Sequence, residues 1–220
     1  MKRLSDLISC SNNIIVKGIT DDSRMVKEEY LFVATHGFHV DHYDFINDAI
    51  KKGCCFVVCD REIDTDFPHL VVDNIHDYYI ELCKKYYDIS LDDFSFIGIT
   101  GTDGKTTTAS IVKELIDDCA YIGTNGLTIG DETSSTNNTT PCISELYRDL
   151  SKVQKKGISN TVMEVSSEAL LHGRVSNFSF DIVGFTNITG DHLNVHGSFE
   201  NYVESKMRLL ELVKEGLPAL

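Results

Sequence analysis

Apolar residues recur in two rhythms along this chain: short unbroken runs that suit buried strands, and repeats every three or four residues that suit helices. Runs at residues 14–16, 30–33, 55–59 and 70–72 predict strands, and the periodic stretches 43–52 and 75–87 predict the helices between and after them. Gly53 is placed to stop the first of these helices. The alternation predicts a small α/β unit over residues 1–90, closed by the short polar boundary Leu91-Asp92-Asp93. Beyond it, residues 96–100 form an apolar, β-prone run that reaches a glycine-rich turn. A segment with apolar residues at Ala109, Val112 and Ile116, and at Ile111 and Leu115, follows as a helix. Thr140 and Pro141 predict the cap and first turn of a helix carrying Ile143, Leu146, Tyr147, Leu150 and Val153 on one face, with Gly157 ending it. A short strand ending at Glu164, a helical run opened by Ser166 and Ser167, a strand at 180–187, a loop bracketed by Gly190 and Gly197, and a helix at 198–214 complete the reading. The expected fold class is α/β.

Composition narrows the function. At 220 residues with 42% hydrophobic residues, the chain has enough length and apolar content for one or two compact domains. Twenty basic against 34 acidic residues give a formal net charge of -14, which repels nucleic acid and anionic membrane surfaces. Any polyphosphate site must therefore be a local positive pocket. The N-terminus has too short an apolar core for a signal peptide and no apolar run approaches membrane-spanning length, so the expected location is cytoplasmic. Seven cysteines without a C-x-x-C pair read as free thiols in a reducing compartment rather than as a zinc site.

The strand, turn and helix over residues 94–118 carry the strongest chemical signal. In T-G-T-D-G-K-T-T-T, Gly101 and Gly104 let the backbone bend so that successive N–H groups face one concavity, where a helix N-terminus adds partial positive charge. Lys105 is placed for the outer phosphates of a nucleotide and Thr106 for Mg²⁺. The common phosphate-loop pattern requires a further glycine where Ile99 stands. Glu164, at a strand end beside this loop, is a hard oxygen ligand suited to magnesium. Four other features are weaker by themselves. Asp21 to Arg24 reads more readily as a solvated turn, and the hydroxyl- and amide-rich residues before Pro141 as plain capping. His192 by itself reads as a structural or surface histidine, and Lys206 as a solvated helix charge.

The phosphate loop closely resembles that of the Mur ligase family, the cytoplasmic ATP-dependent enzymes that add amino acids to the UDP-N-acetylmuramoyl precursor of peptidoglycan. Further blocks match in order from about residue 20 to residue 210: DDSR, YLFVATHGFHVDHYDFI, NNTTP, MEVSSEALLHGRV and FTNITGDHLNVHGSFENYVESK. They are most similar to the members that add the third residue, with UDP-N-acetylmuramoyl-dipeptide and an amino acid as substrates. The resemblance implies a UDP-substrate-binding domain at 1–90 and a central ATP-binding domain with a mainly parallel sheet at 91–220. It implies a reaction in which ATP phosphorylates a carboxylate and an amine then attacks the acyl phosphate.

Residue by residue, it implies that Gly101, Thr102, Asp103, Gly104, Lys105, Thr106 and Thr107 bind ATP, with Lys105, Glu164, His192 and Lys206 catalytic. Thr106, Glu164, His192 and Lys206 are the implied Mg²⁺ ligands, the last after carbamylation. Ser23, Phe38, His39 and Val40 fall near the uridine end of the substrate, and Thr139, Thr140, Ser166, His172 and Arg174 toward its muramoyl peptide. Glu168, His172 and Asn194 depart from the family's histidine, glutamine and aspartate. The family's C-terminal domain is not found before Leu220, so a fragment or truncated relative is expected, acting as a monomer without nucleic acid or membrane and with little turnover by itself. Two other readings stand beside the ligase: a non-catalytic binding module, and an unrelated phosphate-loop kinase or GTPase that leaves NNTTP, EVSS and DHL unexplained.

Overall fold

The computed structural model describes residues 1–9, 13–36 and 41–216. Two compact units divide the chain, Met1–Ile89 and Ser90–Leu220.

The first unit opens with β1 (Lys2–Arg3) and the single turn α1 (Leu4–Leu7), and β1 pairs antiparallel with β2 (Ile15–Val16). Its main sheet is parallel, in the order β3 (Gly18–Thr20), β4 (Tyr30–Val33), β5 (Phe56–Cys59), β6 (His69–Val71). Helix α2 (Ile46–Lys51) lies between β4 and β5, and α3 (Ile75–Tyr87) follows β6. β3 was not expected from the sequence: it is three residues long and begins at a glycine. Gly18 is required there because a Cβ would lie 2.4 Å from the Tyr30 ring. The predicted helix at 43–52 forms only in its second half. Its start is a 3-10 turn, His42–Phe45, whose Tyr43 N–H is taken by the Asp41 carboxylate, before α2 takes over and Gly53 ends it at φ 90°. α3 occupies its predicted span, capped by Asn74 at one end and by a left-handed Asp88 at the other.

The second unit is built on a six-stranded sheet in the order β10–β9–β8–β11–β7–β12. Its strands are β7 (Ser95–Thr100), β8 (Cys119–Gly123), β9 (Gly126–Ile129), β10 (Glu132–Ser134), β11 (Asn160–Glu164) and β12 (Ile182–Phe185). β8, β11, β7 and β12 run parallel, whereas β9 and β10 fold back as antiparallel hairpins. The helices are α4 (Lys105–Leu115), α5 (Ile143–Lys155), α6 (Ser167–Leu171), α7 (Leu193–His196) and α8 (Phe199–Glu211).

Alternation along β7 shows how both sheet faces are covered. Ile97 and Ile99 join Ala109, Val112 and Ile116 of the α4 segment with Cys119, Tyr121 and Val162. From the other face, Phe96 meets Phe94, Phe178 and Phe180, and a Cβ on Gly98 would lie 2.9 Å from the Phe180 ring. Of the two apolar sets read on α4, only Ala109, Val112 and Ile116 pack inward; Ile111 and Leu115 are 54% and 78% exposed.

Three expectations change in this unit. The helix after Pro141 starts at Ile143 with Cys142 as its cap, because the Thr140 hydroxyl is bonded to the Glu164 carbonyl instead. β12 is half the predicted length, since Thr186 and Asn187 leave the sheet to brace the phosphate loop. The segment between Gly190 and Gly197 holds the short helix α7 rather than only a loop. Replacing Phe96 by alanine, which removes the centre of the aromatic cluster, should lower the free energy of unfolding by about 3–5 kcal/mol in urea titrations followed by circular dichroism.

Candidate functional site

Parallel strands align their carboxyl ends, and here the loops after β7, β11, β8 and β12 meet along one sheet edge, where α/β sheets bind ligands. The turn after β7 depends on two glycines. Gly101 has φ 151° and a Cβ there would lie 1.9 Å from the Thr186 hydroxyl, while Gly104 precedes α4 at φ 80°. Residues after β12 tie this turn down. The Thr186 hydroxyl donates to the Asp103 carbonyl at 2.6 Å, and Asn187 accepts from the Thr102 and Asp103 N–H groups at 2.9 and 3.0 Å. Thr102 is also tied to Thr189, through both its hydroxyl and the Thr189 N–H.

These bonds sort the predicted phosphate-binding donors. The Thr102 and Asp103 N–H groups are committed to Asn187, and the first N–H bonded within α4 is that of Thr108, to the Gly104 carbonyl at 2.9 Å. Lys105, Thr106 and Thr107 therefore supply the N–H groups that a helix leaves unsatisfied at its positive end. The Lys105 ammonium folds back over the turn and donates to the Gly101 and Thr102 carbonyls at 2.9 and 2.8 Å.

Glu164 ends β11 with no exposed surface. Its Oε2 accepts from the Thr106 hydroxyl at 3.0 Å and from the Thr124 hydroxyl at 3.2 Å; its Oε1 accepts from the Thr124 N–H at 3.0 Å and from the Tyr121 phenol. Burial, reinforced by the Glu164 contact, raises the Tyr121 phenol well above its ordinary pKa. Sequence reasoning missed Tyr121 and Thr124. The Asn125-Gly126 pair after an apolar run is the hairpin signal that locates them, because Thr124 and Asn125 form the two-residue loop joining β8 to β9.

Lys206, implied as a site residue by likeness to the family, lies differently from what it suggests taken alone. Read as a solvated charge, it is 1% exposed on the inner face of α8, and its ammonium donates to the same Gly101 carbonyl at 2.8 Å. Burial, with the Lys105 charge adding to it, pushes its pKa down to about 8. Its ammonium lies 4.6 Å from the centre of the Tyr202 ring. Tyr202 donates or accepts at Thr102 Oγ1 over 2.9 Å and packs its ring near His192, His196 and Phe199. His192 itself is exposed, in a left-handed conformation at the head of α7, with Nε2 3.4 Å from Asp191 Oδ2; it meets the loop through Tyr202. His196 is the buried member of the pair and bonds Ser167 at 3.0 Å, with its pKa lowered chiefly by burial.

The proposed peptide-side residues also converge. Thr139 shares a hydroxyl contact of 3.0 Å with Thr124, and Thr140 accepts from the Ser166 N–H at 2.9 Å. Arg174 donates to the Thr140 carbonyl at 3.0 Å, and Ser166 caps α6 through the Ala169 N–H. His172 lies at the other end of that helix. In the first unit, Ser23 is 6% exposed and its carbonyl accepts from Lys52, while Phe38, His39 and Val40 lie outside the described residues. The described residues of the first unit also hold a polar cluster that the sequence reading did not isolate. Tyr43 donates to Asp60 at 2.5 Å, and Arg61 stacks 3.7 Å above the Tyr43 ring while pairing with Asp41. Burial and then Asp60 push the Tyr43 phenol up to about 12.

The donor set suits magnesium. Thr106 and Glu164 present hard oxygens, the ligand type magnesium prefers, within hydrogen-bond reach of each other. The head of α4 suits a polyphosphate, since the Lys105, Thr106 and Thr107 N–H groups have no acceptor within the helix.

Comparison with known proteins agrees with this geometry. Residues 99–219 match the Mur ligase middle domain, and residues 15–85 match the Mur ligase family, catalytic domain. The UDP-N-acetylmuramoyl-L-alanyl-D-glutamate--2,6-diaminopimelate ligase of Bacillus cereus is 39% identical over 216 residues, covering 93% of this chain and 44% of the relative. The same-named ligase of Caldanaerobacter subterraneus is 34% identical over 222 residues, covering 98% and 46%. A solved structure of a ligase with that name superposes with a TM-score of 0.74 at 26% identity, over 94% of this chain and 44% of the other. The MurF ligase of Thermotoga maritima in complex with ADP shares the fold, with a TM-score of 0.57 at 23% identity, over 94% and 46%. The chain thus spans less than half the length of the relatives it matches. With a family match covering more than half its residues and a phosphate-loop edge built as described, this chain belongs to the Mur ligase family.

Proposed function

We propose that this chain forms the nucleotide-binding and UDP-substrate-binding part of an ATP-dependent ligase. That ligase joins an amino acid to the peptide carboxylate of UDP-N-acetylmuramoyl-L-alanyl-D-glutamate, the third-residue step of peptidoglycan synthesis. The observation that carries the proposal is the 3.0 Å contact between Thr106 and Glu164 at the mouth of a glycine turn that also holds Lys105. The names of the relatives support the substrate class.

In this reading the N–H groups at the head of α4 donate to the nucleotide's phosphates, and Lys105 exchanges the Gly101 and Thr102 carbonyls for phosphate oxygens. Mg²⁺, when bound by Thr106 and Glu164, neutralises charge on the phosphate oxygens. Thr139, Thr140, Ser166, His172 and Arg174 face the muramoyl peptide. Ser23, Phe38, His39 and Val40 serve its uridine end. Lys206 reacts with carbon dioxide: its neutral amine adds to the carbon and releases one proton, leaving a carbamate. That group and His192 complete the cation ligands. The lowered Lys206 pKa supports this step, because a neutral amine is the nucleophilic form. Buried thiols at Cys54, Cys59 and Cys119 support a reducing compartment, and the reaction is assigned in this reading to the cytoplasm. Among the described residues no helix is long and apolar enough to cross a membrane. The working form is a monomer that requires neither nucleic acid nor membrane.

Calorimetric titration tests the nucleotide site. Lys105→Ala should weaken ADP binding at least tenfold in the presence of Mg²⁺ and leave the affinity for UDP unchanged; equal ADP affinity in the variant rejects the site. Stability against pH tests the charge on Lys206. Its pKa is lower folded than unfolded, so between about pH 8 and 10.5 the unfolded chain holds more protons and folding strengthens as pH rises. In carbon-dioxide-free buffer, urea denaturation should show the wild type gaining up to about 3 kcal/mol on Lys206→Met across that window.

A further inference from the structure

We propose that Tyr121 is the positioning residue of the cation site, locking Glu164 Oε1 so that Oε2 alone is presented to the metal beside Thr106. This inference rests on the proposed function, and the two oxygens of Glu164 carry it because their partners differ in kind.

Oε2 is bonded only to hydroxyls, those of Thr106 at 3.0 Å and Thr124 at 3.2 Å. A hydroxyl can rotate its proton away and offer a lone pair, so both contacts yield to an arriving cation, and Thr106 becomes a ligand by doing so. Oε1 is bonded by the Thr124 N–H at 3.0 Å, which has no lone pair to offer, and by the Tyr121 phenol. The phenol is itself directed. Its oxygen receives the Asn125 N–H at 3.4 Å from the adjoining turn, which orients the proton toward Glu164. Oε1 is thereby tied to two backbone positions of the β8–β9 hairpin, one directly and one through the ring, while Oε2 is released at little cost.

Packing enforces the same arrangement. Gly123 lies under the contact, and a Cβ there would stand 2.3 Å from Glu164 Oε1 and 2.4 Å from the Tyr121 oxygen. Only a glycine leaves room for the two groups to meet. The tyrosine ring is otherwise part of the core against α4, with Ile99, Ala109, Cys119 and Val162, so the phenol oxygen is delivered by a rigid apolar anchor. Tyr121 therefore acts through Glu164 and touches neither nucleotide nor substrate in this scheme.

The test measures Mn²⁺ binding by the loss of its free electron paramagnetic resonance signal, using the 220-residue chain with ADP. Tyr121→Phe keeps the ring and removes the phenol. It should weaken Mn²⁺ about tenfold while ADP binding without metal stays as in the wild type. In a Glu164→Gln background the same tyrosine change should make no further difference, because its effect passes through the carboxylate. Gly123→Ala keeps every donor but wedges a methyl into the contact, and should weaken Mn²⁺ to a similar degree. Thermal melts confirm that each variant is folded, and Gly123→Ala provides the reading should Tyr121→Phe fail to fold. Folded Tyr121→Phe or Gly123→Ala protein with wild-type Mn²⁺ affinity overturns the inference, as does an equal loss with and without Glu164. Wild-type protein that binds no Mn²⁺ with ADP overturns the proposed cation site and the inference with it.

Discussion

The buried carboxyl group of Glu164 is the constraint that organises the second unit. A carboxylate removed from water costs several kcal/mol unless its oxygens find donors. Here the donors come from the α4 head and from the β8–β9 turn. Satisfying that one group fixes where α4 starts relative to β11 and where the β8–β9 hairpin turns. The Glu164 carbonyl, in turn, accepts from Thr140 and draws the segment before α5 to the same edge. Four separate pieces of chain are registered by one residue.

How much of this was legible beforehand depended on range. The glycine turn with Lys105 and Thr106 was readable because strand, bend and helix are consecutive, so local sequence contains the whole device. Helix α3 was readable for the same reason, with Asn74 and Asp88 marking its ends. Elements whose bounds are set by distant partners were not. β12 stops early because Thr186 and Asn187 serve a turn more than eighty residues away, and Thr140 fails to cap α5 because it is engaged with β11. Lys206 is the sharpest example: nothing in NYVESKM distinguishes a lysine in water from one pressed against the Gly101 carbonyl. Its inward placement was implied only by likeness to a family. Tyr121 and Thr124 stood in a stretch the periodicity analysis passed over, although Asn125-Gly126 announced the turn.

The two units hold their polar clusters together in different ways. In the second, the loops at the sheet edge bond to one another, so the phosphate turn is held by Thr186, Asn187 and Thr189 before any ligand arrives. Such preorganisation lowers the entropy lost on binding. In the first, a hydrogen bond from Tyr43 to Asp60, the stacked Arg61 guanidinium and its ion pair to Asp41 reinforce one another.

The pairing of Lys105 and Lys206 on a single carbonyl has a kinetic corollary. Two ammonium groups face one neutral oxygen inside a chain whose formal charge is -14, so the local and distant fields have opposite sign. An approaching polyanion is repelled by the molecule as a whole until it comes within roughly 8–10 Å, the Debye length at physiological ionic strength, where Lys105, the positive head of α4 and, until it is carbamylated, Lys206 set the field. Added electrolyte weakens the outer repulsion more than the sheltered inner attraction. On the proposed function, nucleotide capture by this edge would therefore accelerate with moderate ionic strength, the reverse of what a cationic phosphate-binding protein shows.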